Sequence, residues 1–512
     1  MNTEQTLNSA FQYLNSGNLL MAGPLFEGVL QREPQNFAAL NGRGFIALQQ
    51  NRLAESAADF QQSLAVNPKQ AFAHKMLGIV HGAMGQFESS MQAFAAALTL
   101  DAKDPEVYFN RANFRFQAGQ AQAALADLDA AIQLRGSYLE ARSNRANLLI
   151  QLGDFARAEK DLDYLVGKIT NHPDLWVALG LAKHKVGKHK ESMRCNERAL
   201  KLVPNHPDAL LNSSSATYDQ GEYSAALAWA DKAISATPNR AEAHYARAQA
   251  LMAMSRFDEA LVAYSKAIEL NPNYAEAWMG RGLTHARLHH LSEAVGDYDR
   301  AVSLRPDYDE ACFNKGHLYL EHRDFVLGWA GYEHRFGMTS LGLVNLPEIP
   351  VWDGKPLAGQ LLVRGEQGLG DQIIFASVLP DLLRQIPNVC LQLEPRLVPL
   401  FQRSFPGVAV ISKDKKPPVD VAAQIFIGSL PQFFRKSAAD FAGAQVPYLK
   451  ADPEKTAAMR LALAPNGEKI IGLNWRSFKN KYAADKSIEL KDLAPFFALP
   501  NCTVVNLQYG DI

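Results

Sequence analysis

The first two thirds of this sequence repeat with a period of 34 residues, without an insertion or a deletion. Proline falls near the end of many repeats, at Pro34, Pro68, Pro204, Pro238, Pro272 and Pro306. If the units start at residue 3 and then every 34 residues, ten units fit, and the last one begins at residue 309. A fixed period of this length predicts stacked copies of one supersecondary unit rather than a single globular core.

Two positions of the repeat unit hold small residues, and a third position holds a large residue in most units. Position 8 is small in all ten: Ala10, Gly44, Gly78, Ala112, Ala146, Gly180, Ser214, Ala248, Gly282 and Gly316. Position 20 is also small: Ala22, Ser56, Ser90, Ala124, Ala158, Ser192, Ala226, Ala260, Ala294 and Gly328. Position 24 is bulky in eight units: Phe26, Phe60, Phe94, Leu128, Leu162, Tyr264, Tyr298 and Tyr332. This pattern predicts two closely packed antiparallel helices in each unit, with the large residue filling the space between them.

Glycine recurs at position 15, where a first helix would end in a left-handed residue before the turn. The glycines are Gly17, Gly85, Gly119, Gly153, Gly187 and Gly221. The whole pattern resembles the tetratricopeptide repeat (TPR). The resemblance implies an α-solenoid of about ten TPR units over residues 1–342, with a protein or peptide as its partner.

Asparagine recurs at positions 6 and 9, on the predicted inner face of the first helices. The residues are Asn110, Asn113, Asn144, Asn147, Asn212 and Asn314. An amide both donates and accepts, so a row of amides can hydrogen-bond an extended peptide without reading its sequence. Such a row resembles the groove of the TPR arm in the O-linked N-acetylglucosamine transferases. The alternative is that these side chains hydrate a concave surface or bond to the neighbouring helix.

Position 7 carries a cation in six units: Arg43, Arg111, Arg145, Arg247, Arg281 and Lys315. We expect the aliphatic stems to pack and the charged heads to reach water.

Charge and cysteine usage exclude several other classes of protein. The 52 basic and 53 acidic side chains give a net charge of −1, which does not indicate a nucleic-acid partner. A basic-then-apolar leader and a long apolar run are both missing from the sequence, so we expect a cytoplasmic protein without membrane insertion. The 4 cysteines form no CxxC pair. His285 and His289 share a helical spacing, but no third ligand accompanies them, and we expect neither a metal nor a cofactor.

The repeat register ends after Tyr332, and residues 343–360 are rich in proline and glycine, as in an extended connector. Apolar strands then alternate with helices. This order predicts a parallel sheet and a Rossmann-like region over residues 361–452, with the start of a second such domain over residues 453–512. Any ligand is expected at the carboxyl ends of the strands.

Two predicted strand ends carry polar or flexible residues. In the first, RGEQGLGDQ, the glycines Gly365, Gly368 and Gly370 allow a sharp turn before Asp371 opens a helix. The alternative role of Asp371 is a helix cap. The second, NWRSFKNKYAADKS, is basic and includes Arg476 and Lys486. Such cations suit a diphosphate, although a solvated surface loop has the same composition.

The run VWDGKPLAGQLLVRGEQGLGDQIIFASVLPDL resembles the glycosyltransferase-like domain that bacteria fuse to TPR arrays. That domain is similar to the heptosyltransferases, which have the GT-B fold and share the LGD loop. The resemblance implies that Asp371 is the general base toward an acceptor hydroxyl and that Lys486 contacts the phosphate of a nucleotide-sugar donor.

These relatives continue for about another hundred residues beyond the point that matches Ile512. We therefore expect a fragment or a truncated protein, inactive in this form. The sequence predicts a TPR array that presents acceptors to a GT-B glycosyltransferase, which would move a sugar from a nucleotide donor to a hydroxyl. The alternative is a non-catalytic TPR scaffold with a degenerate transferase remnant.

Overall fold

The computed structural model describes residues 2–444, 447–474 and 488–507. The chain divides into two compact units, Met1–Gly280 and Arg281–Ile512. Helix α17 (Ala275–Arg287) spans the division. Within the described residues, no helix is both long and apolar enough to cross a membrane.

The first unit consists of paired helices, each pair occupying one 34-residue repeat. The helices are α1 (Thr3–Asn15), α2 (Leu19–Arg32), α3 (Phe37–Gln49), α4 (Leu53–Val66), α5 (Ala71–Ala83), α6 (Phe87–Leu100), α7 (Pro105–Gln117), α8 (Ala121–Leu134), α9 (Leu139–Gln151), α10 (Phe155–Lys168), α11 (Pro173–Lys185), α12 (His189–Leu202), α13 (Pro207–Asp219), α14 (Tyr223–Ala236), α15 (Ala241–Ala253) and α16 (Phe257–Leu270). The repeat register predicted from the sequence is therefore confirmed helix by helix.

The small residue at position 8 faces the large residue at position 24 of the same repeat. Phe94 is fully buried, and its ring lies so close to Gly78 that an added Cβ would be 2.8 Å from ring atom Cδ1. In repeat two, a Cβ on Gly44 would be 3.3 Å from the Phe60 ring. Close packing at this contact therefore requires the small residue, as the pattern predicted.

The residue at position 15 is left-handed in all ten repeats, with φ from 55° to 81°. The glycines have φ values of 73° to 81°, and four other residues adopt the same region: Asn51 (55°), Ser255 (59°), His289 (59°) and Arg323 (63°). The turn geometry, rather than the glycine, is the invariant feature of the repeat.

The second unit contains further repeat helices and adds parallel strands. Its helices after α17 are α18 (Leu291–Leu304), α19 (Asp309–Glu321) and α20 (Phe325–Tyr332), followed by 3₁₀ turns at Glu333–Gly337 and Thr339–Leu341. The remaining elements are β1 (Gln360–Arg364), α21 (Leu369–Phe375), α22 (Leu379–Gln385), β2 (Val389–Leu393), α23 (Val398–Ser404), β3 (Ala409–Ser412), β4 (Val421–Phe426), α24 (Pro431–Phe434), α25 (Ala439–Ala442), α26 (Pro453–Leu463), β5 (Lys469–Leu473), α27 (Ala494–Phe497) and β6 (Cys502–Asn506).

Strands β1 to β4 form a parallel sheet in the order β3-β2-β1-β4. Leu362 pairs with Cys390 of β2 and with Gln424 of β4. The strands are short and apolar, and their side chains join those of α22 and α23 in one buried cluster that includes Phe401. Strands β5 and β6 pair in parallel in a separate two-stranded sheet.

The connector before β1 is fixed against the edge of the sheet. Trp352 is buried, and its backbone N–H donates to the Gln424 carbonyl at 2.8 Å. The fully buried Gln424 side chain donates to the carbonyls of Leu346 and Ile349, both at 2.7 Å. The connector thus turns at residues 347–349 and contacts β4 near Trp352, and it is held by a glutamine that satisfies its carbonyl groups.

Candidate functional site

Three of the predicted groove asparagines meet in one pocket. Asn113 of α7 lines it together with Asn144 and Asn147 of α9, and the pocket volume is about 440 Å³. The rest of the lining is uncharged: Ala112, Phe116, Leu128, Leu148, Ile150 and Gln151. We call these nine residues the asparagine pocket.

The amide groups of the asparagine pocket are only partly used within the protein. Asn144 Nδ2 donates to Asn113 Oδ1 at 2.8 Å. Among the described residues, no hydrogen bond uses Asn113 Nδ2, Asn144 Oδ1 or the exposed amide of Asn147. The pocket therefore offers both donors and acceptors to a ligand.

The other three predicted groove residues do not join this pocket. Asn110 is half-buried, and its Nδ2 donates to the Glu106 carbonyl of its own helix at 2.8 Å. Asn212 lies half-buried on α13. Asn314 lies on α19 in the second unit, where it lines a different pocket of about 320 Å³ with His317 and Glu321.

The cations at position 7 make ion pairs, which the sequence reasoning missed. In four repeats the arginine binds an aspartate at position 23 of the same repeat, at 2.6 or 2.7 Å: Arg43–Asp59, Arg111–Asp127, Arg145–Asp161 and Arg281–Asp297. These aspartate side chains are at most 9% exposed. The expectation that the charged heads reach water is therefore wrong for Arg111, Arg145 and Arg281, whose side chains are at most 21% exposed, whereas the Arg43 side chain is 37% exposed.

The glycine loop lies at the carboxyl end of β1, between that strand and α21. Gly365 is tightly packed, because an added Cβ would be 2.5 Å from Gln372 Oε1. The left-handed residue of the loop is Gln367, with φ of 55°, and not a glycine. Gly368 has ordinary backbone angles. The surroundings of Gly370 are open. Of the three predicted glycines, Gly365 has the closest contact, while a Cβ added to Gly368 would lie 3.1 Å from Asp371 Oδ2.

Asp371 is half-buried in the first turn of α21, and its Oδ2 accepts a hydrogen bond from the Gly368 backbone N–H at 2.9 Å. The capping role that the sequence left open is thus present in the structure. A role in catalysis is compatible with this contact, since the second carboxylate oxygen has no hydrogen bond within the described residues.

Next to the glycine loop, a buried ionic cluster joins the end of the helical array to the sheet. Glu366 accepts hydrogen bonds from Arg335 Nε at 2.9 Å, from Arg335 Nη2 at 3.0 Å and from the Gly428 backbone N–H at 2.6 Å. Arg335 also donates to Ser429 Oγ at 2.6 Å and to Glu333 Oε1 at 2.5 Å. Burial favours the neutral guanidine, but the hydrogen bonds and negative charges of Glu366 and Glu333 together outweigh it and raise the pKa of Arg335.

The basic strand end that the sequence singled out lies outside the described residues. This applies to both Arg476 and Lys486.

The first unit and the helices that follow it define a helical-repeat protein built from antiparallel two-helix units. Three family models described as tetratricopeptide repeats match the chain. One matches residues 241–274, one matches residues 115–182, and one matches three segments, 13–71, 75–138 and 177–241. The array is therefore composed of tetratricopeptide repeats, a class of fold that commonly serves protein–protein interaction.

The chain is similar in sequence to Protein FlbA of Caulobacter vibrioides, with 31% identity over 211 residues. This match covers 36% of the present chain and 34% of FlbA, so the chain spans about a third of the length of that relative.

Two solved structures are also similar. A tetratricopeptide repeat protein from Parabacteroides merdae has 18% identity, covers 49% of this chain and 98% of its own, and gives a TM-score of 0.33. Yeast Tom70 has 12% identity, covers 67% of this chain and 92% of its own, and gives a TM-score of 0.36.

Proposed function

We propose that the tetratricopeptide array binds an extended segment of a protein partner and holds its main chain in the asparagine pocket. The observation that carries the proposal is the meeting of Asn113, Asn144 and Asn147 in one pocket with unused amide atoms. A peptide main chain presents alternating N–H and C=O groups, and side-chain amides match both.

The lining also determines how this binding responds to salt. No lining residue of the asparagine pocket is charged, and Phe116 and Ile150 supply apolar surface beside the amides. Apolar burial and neutral hydrogen bonds are little affected by ionic screening. We therefore expect the affinity for a peptide to change little between low and moderate salt.

The test uses the full chain and a peptide selected from a random display library at moderate salt. Its dissociation constant is then measured by calorimetry for the wild type and for the triple variant Asn113→Ala, Asn144→Ala, Asn147→Ala. A neutral hydrogen bond contributes about 1 kcal/mol, so loss of two or three bonds weakens binding by roughly 30-fold to 150-fold.

Asn110→Ala is the matched control, because the Asn110 amide is bonded to its own helix outside the pocket. Its affinity should equal that of the wild type. Unchanged affinity in the triple variant, with intact helical circular dichroism, would show that these asparagines only hydrate the surface.

A second candidate function is sugar transfer by the C-terminal region, as a GT-B glycosyltransferase acting on a nucleotide-sugar donor. One observation favours it. The strand order β3-β2-β1-β4 matches the first four strands of the doubly wound nucleotide-binding order 3-2-1-4-5-6, and the glycine loop follows β1, beside the point where the order reverses. In this proposal Asp371 is the general base, and the donor phosphate is held by cations such as Arg476 and Lys486.

The competing proposal is a TPR scaffold whose transferase-like region no longer catalyses a reaction. The two are separated by measuring sugar transfer from a panel of nucleotide sugars in the protein encoded by the complete gene. Transfer that depends on Asp371 supports the enzyme. Absence of both transfer and donor binding supports the scaffold.

A further inference from the structure

Three consecutive helices of the first unit bring metal-ligating side chains to one point. His184 lies in the last turn of α11, His189 is the first residue of α12, and Asp219 is the last residue of α13. The point lies at the junction of repeats six and seven. None of these residues belongs to the asparagine pocket.

The three side chains lie close enough to share one ion. His184 Nδ1 lies 3.2 Å from His189 Nδ1, and the other ring nitrogen of His184, Nε2, lies 3.3 Å from Asp219 Oδ2. One ligand atom of each residue lies within 4.8 Å of the other two. A tetrahedral ion with bonds of about 2.0 to 2.1 Å to nitrogen holds its ligand atoms about 3.3 Å apart, so an ion bound by a single nitrogen of His184 would draw the three side chains closer together.

The electrostatics suit a cation. Two ring nitrogens can face each other at 3.2 Å only if one of them carries a hydrogen or if a cation lies between them. The Asp219 side chain is 49% exposed, which leaves a path from solvent and freedom to adjust.

We propose that His184, His189 and Asp219 bind a divalent transition-metal ion such as Zn²⁺, with one position left for water. Two imidazoles and a carboxylate are a ligand set that Zn²⁺ accepts. Because the ligands come from α11, α12 and α13, the ion would clamp the two helices of repeat six to the first helix of repeat seven.

In repeat six, such a metal clamp would offset a weakness in the packing of α11 on α12. Its position 24 holds Asn196 instead of a large apolar residue, and the side chain is fully buried. Within the described part of the chain, neither polar atom of Asn196 has a hydrogen-bond partner, and the same is true of the buried Ser192 hydroxyl. Buried polar atoms without partners weaken the packing of α11 on α12. A metal bond between the same two helices offsets that loss.

Repeat nine supplies a natural control. His285 and His290 have the same approach, with their Nδ1 atoms 3.3 Å apart. Their nearest carboxylate, Asp297, is 4.0 Å from His285 and is held by two hydrogen bonds of 2.7 Å from Arg281. This pair of histidines therefore has no comparable third ligand among the described residues.

The experiment starts with the full chain, treated with a chelator and then dialysed. Calorimetric titration with ZnCl₂ at neutral pH should show one equivalent bound with micromolar or tighter affinity. Thermal unfolding should move to higher temperature with Zn²⁺ and not with Mg²⁺, which prefers oxygen ligands. Co²⁺ bound in place of Zn²⁺ should show the visible absorption of a tetrahedral site.

The variants decide whether this site is the one that binds. His189→Ala and the near-isosteric Asp219→Asn should each weaken Zn²⁺ binding by at least about tenfold, while His285→Ala should leave it unchanged. The proposal is overturned by absence of Zn²⁺ binding, by wild-type affinity in both His189→Ala and Asp219→Asn, or by an equal loss in His285→Ala. In the first two cases the three residues form only a hydrogen-bonded chain.

Discussion

Arg335 and Glu366 form an ion pair with no exposed surface on either side chain, and two hydrogen bonds of 2.9 and 3.0 Å join them. Arg335 follows the last repeat helix, and Glu366 follows β1 at the carboxyl end of the sheet. Burial and the nearby Glu366 carboxylate also raise the pKa of Tyr332, whose hydroxyl accepts a hydrogen bond from Gln367 in the glycine loop. The loop is thus held by residues that precede it in the chain by 31 and 35 positions.

The first prediction concerns this ion pair. Glu366→Gln removes one charge and leaves the Arg335 guanidinium buried without its full partner. Breaking a buried pair in this way costs about 3 to 5 kcal/mol. Chemical unfolding of the full chain, monitored by tryptophan fluorescence, should show the lower stability.

Lys355→Ala is the control for that experiment, since Lys355 pairs with Asp353 on the surface with 80% of its side chain exposed. It should leave the unfolding midpoint unchanged. Equal stability of wild type and Glu366→Gln would mean that Ser429 and Glu333 are sufficient to hold the arginine.

The second prediction concerns the ion pairs within the repeats. Asp127 is 4% exposed and accepts hydrogen bonds from both Arg111 and Arg115. Asp127→Asn should destabilise the array by about 2 to 4 kcal/mol, because two partly buried guanidiniums lose their counter-charge.

Asp231 provides the comparison, because it binds the position-7 residue Arg247 while 53% of its side chain is exposed. Asp231→Asn should cost less than about 1 kcal/mol. Similar unfolding free energies for the two variants would show that burial of the aspartate does not determine the strength of the pair.

The sequence contains a signal for these arginine–aspartate ion pairs, but neither position carries it alone. Aspartate occupies position 23 in repeats two, four, five and nine, and the same four repeats have arginine at position 7. Each position alone indicates a surface charge. Only their joint occurrence, read with the helix pairing of the repeat, predicts the contact of Arg43 with Asp59.

Strand and helix positions in the C-terminal region were also predictable from the sequence, because apolar runs and turn residues are local signals. The predicted strands QLLVRG and NVCLQLEP correspond to β1 and β2. The clustering of Arg335, Glu366 and Ser429 was not predictable, since these residues are up to 94 positions apart and no local pattern marks them. In the same way, the periodic asparagines predicted a groove, whereas the pocket contains only the three that neighbouring helices bring together.

The third prediction concerns packing at position 8. A Cβ on Gly180 would be 2.4 Å from Asn196 Oδ1, so Gly180→Leu should overpack this contact at a cost of about 1 to 3 kcal/mol. Gly167→Leu on α10 is the control, because no atom lies within 4 Å of its added Cβ. Thermal unfolding of the full chain should show a lower midpoint only for Gly180→Leu. An unshifted midpoint in Gly180→Leu would show that Gly180 and Asn196 are not in close contact.

The fourth prediction concerns pH. Burial lowers the pKa of His317 from 6.5, so the unfolded chain binds more protons than the folded protein as the pH falls below that value. The contribution of His317 is fully present above pH 6.5 and is lost as the pH falls toward its lowered pKa. The limiting slope is about 1.4 kcal/mol per pH unit.

The measurement compares wild type with His317→Gln, which does not titrate in this range. Unfolding free energies between about pH 7.5 and about pH 5 should fall less steeply in the variant. Other groups titrate in both proteins and cancel in the difference. Parallel curves would show that His317 is protonated equally well in the folded protein.

The last prediction separates the two roles of Asp371. If it is the general base of a sugar transfer, Asp371→Asn lowers turnover by about 10² to 10⁴ in the protein encoded by the complete gene, with donor affinity nearly unchanged. Asparagine is also a good capping residue and can still accept the hydrogen bond from the Gly368 N–H, so folding should be preserved. Asp371→Ala removes both functions and should lower the melting temperature as well as turnover. Turnover that falls only in the alanine variant, in step with its stability, would leave Asp371 as a helix cap and favour the scaffold.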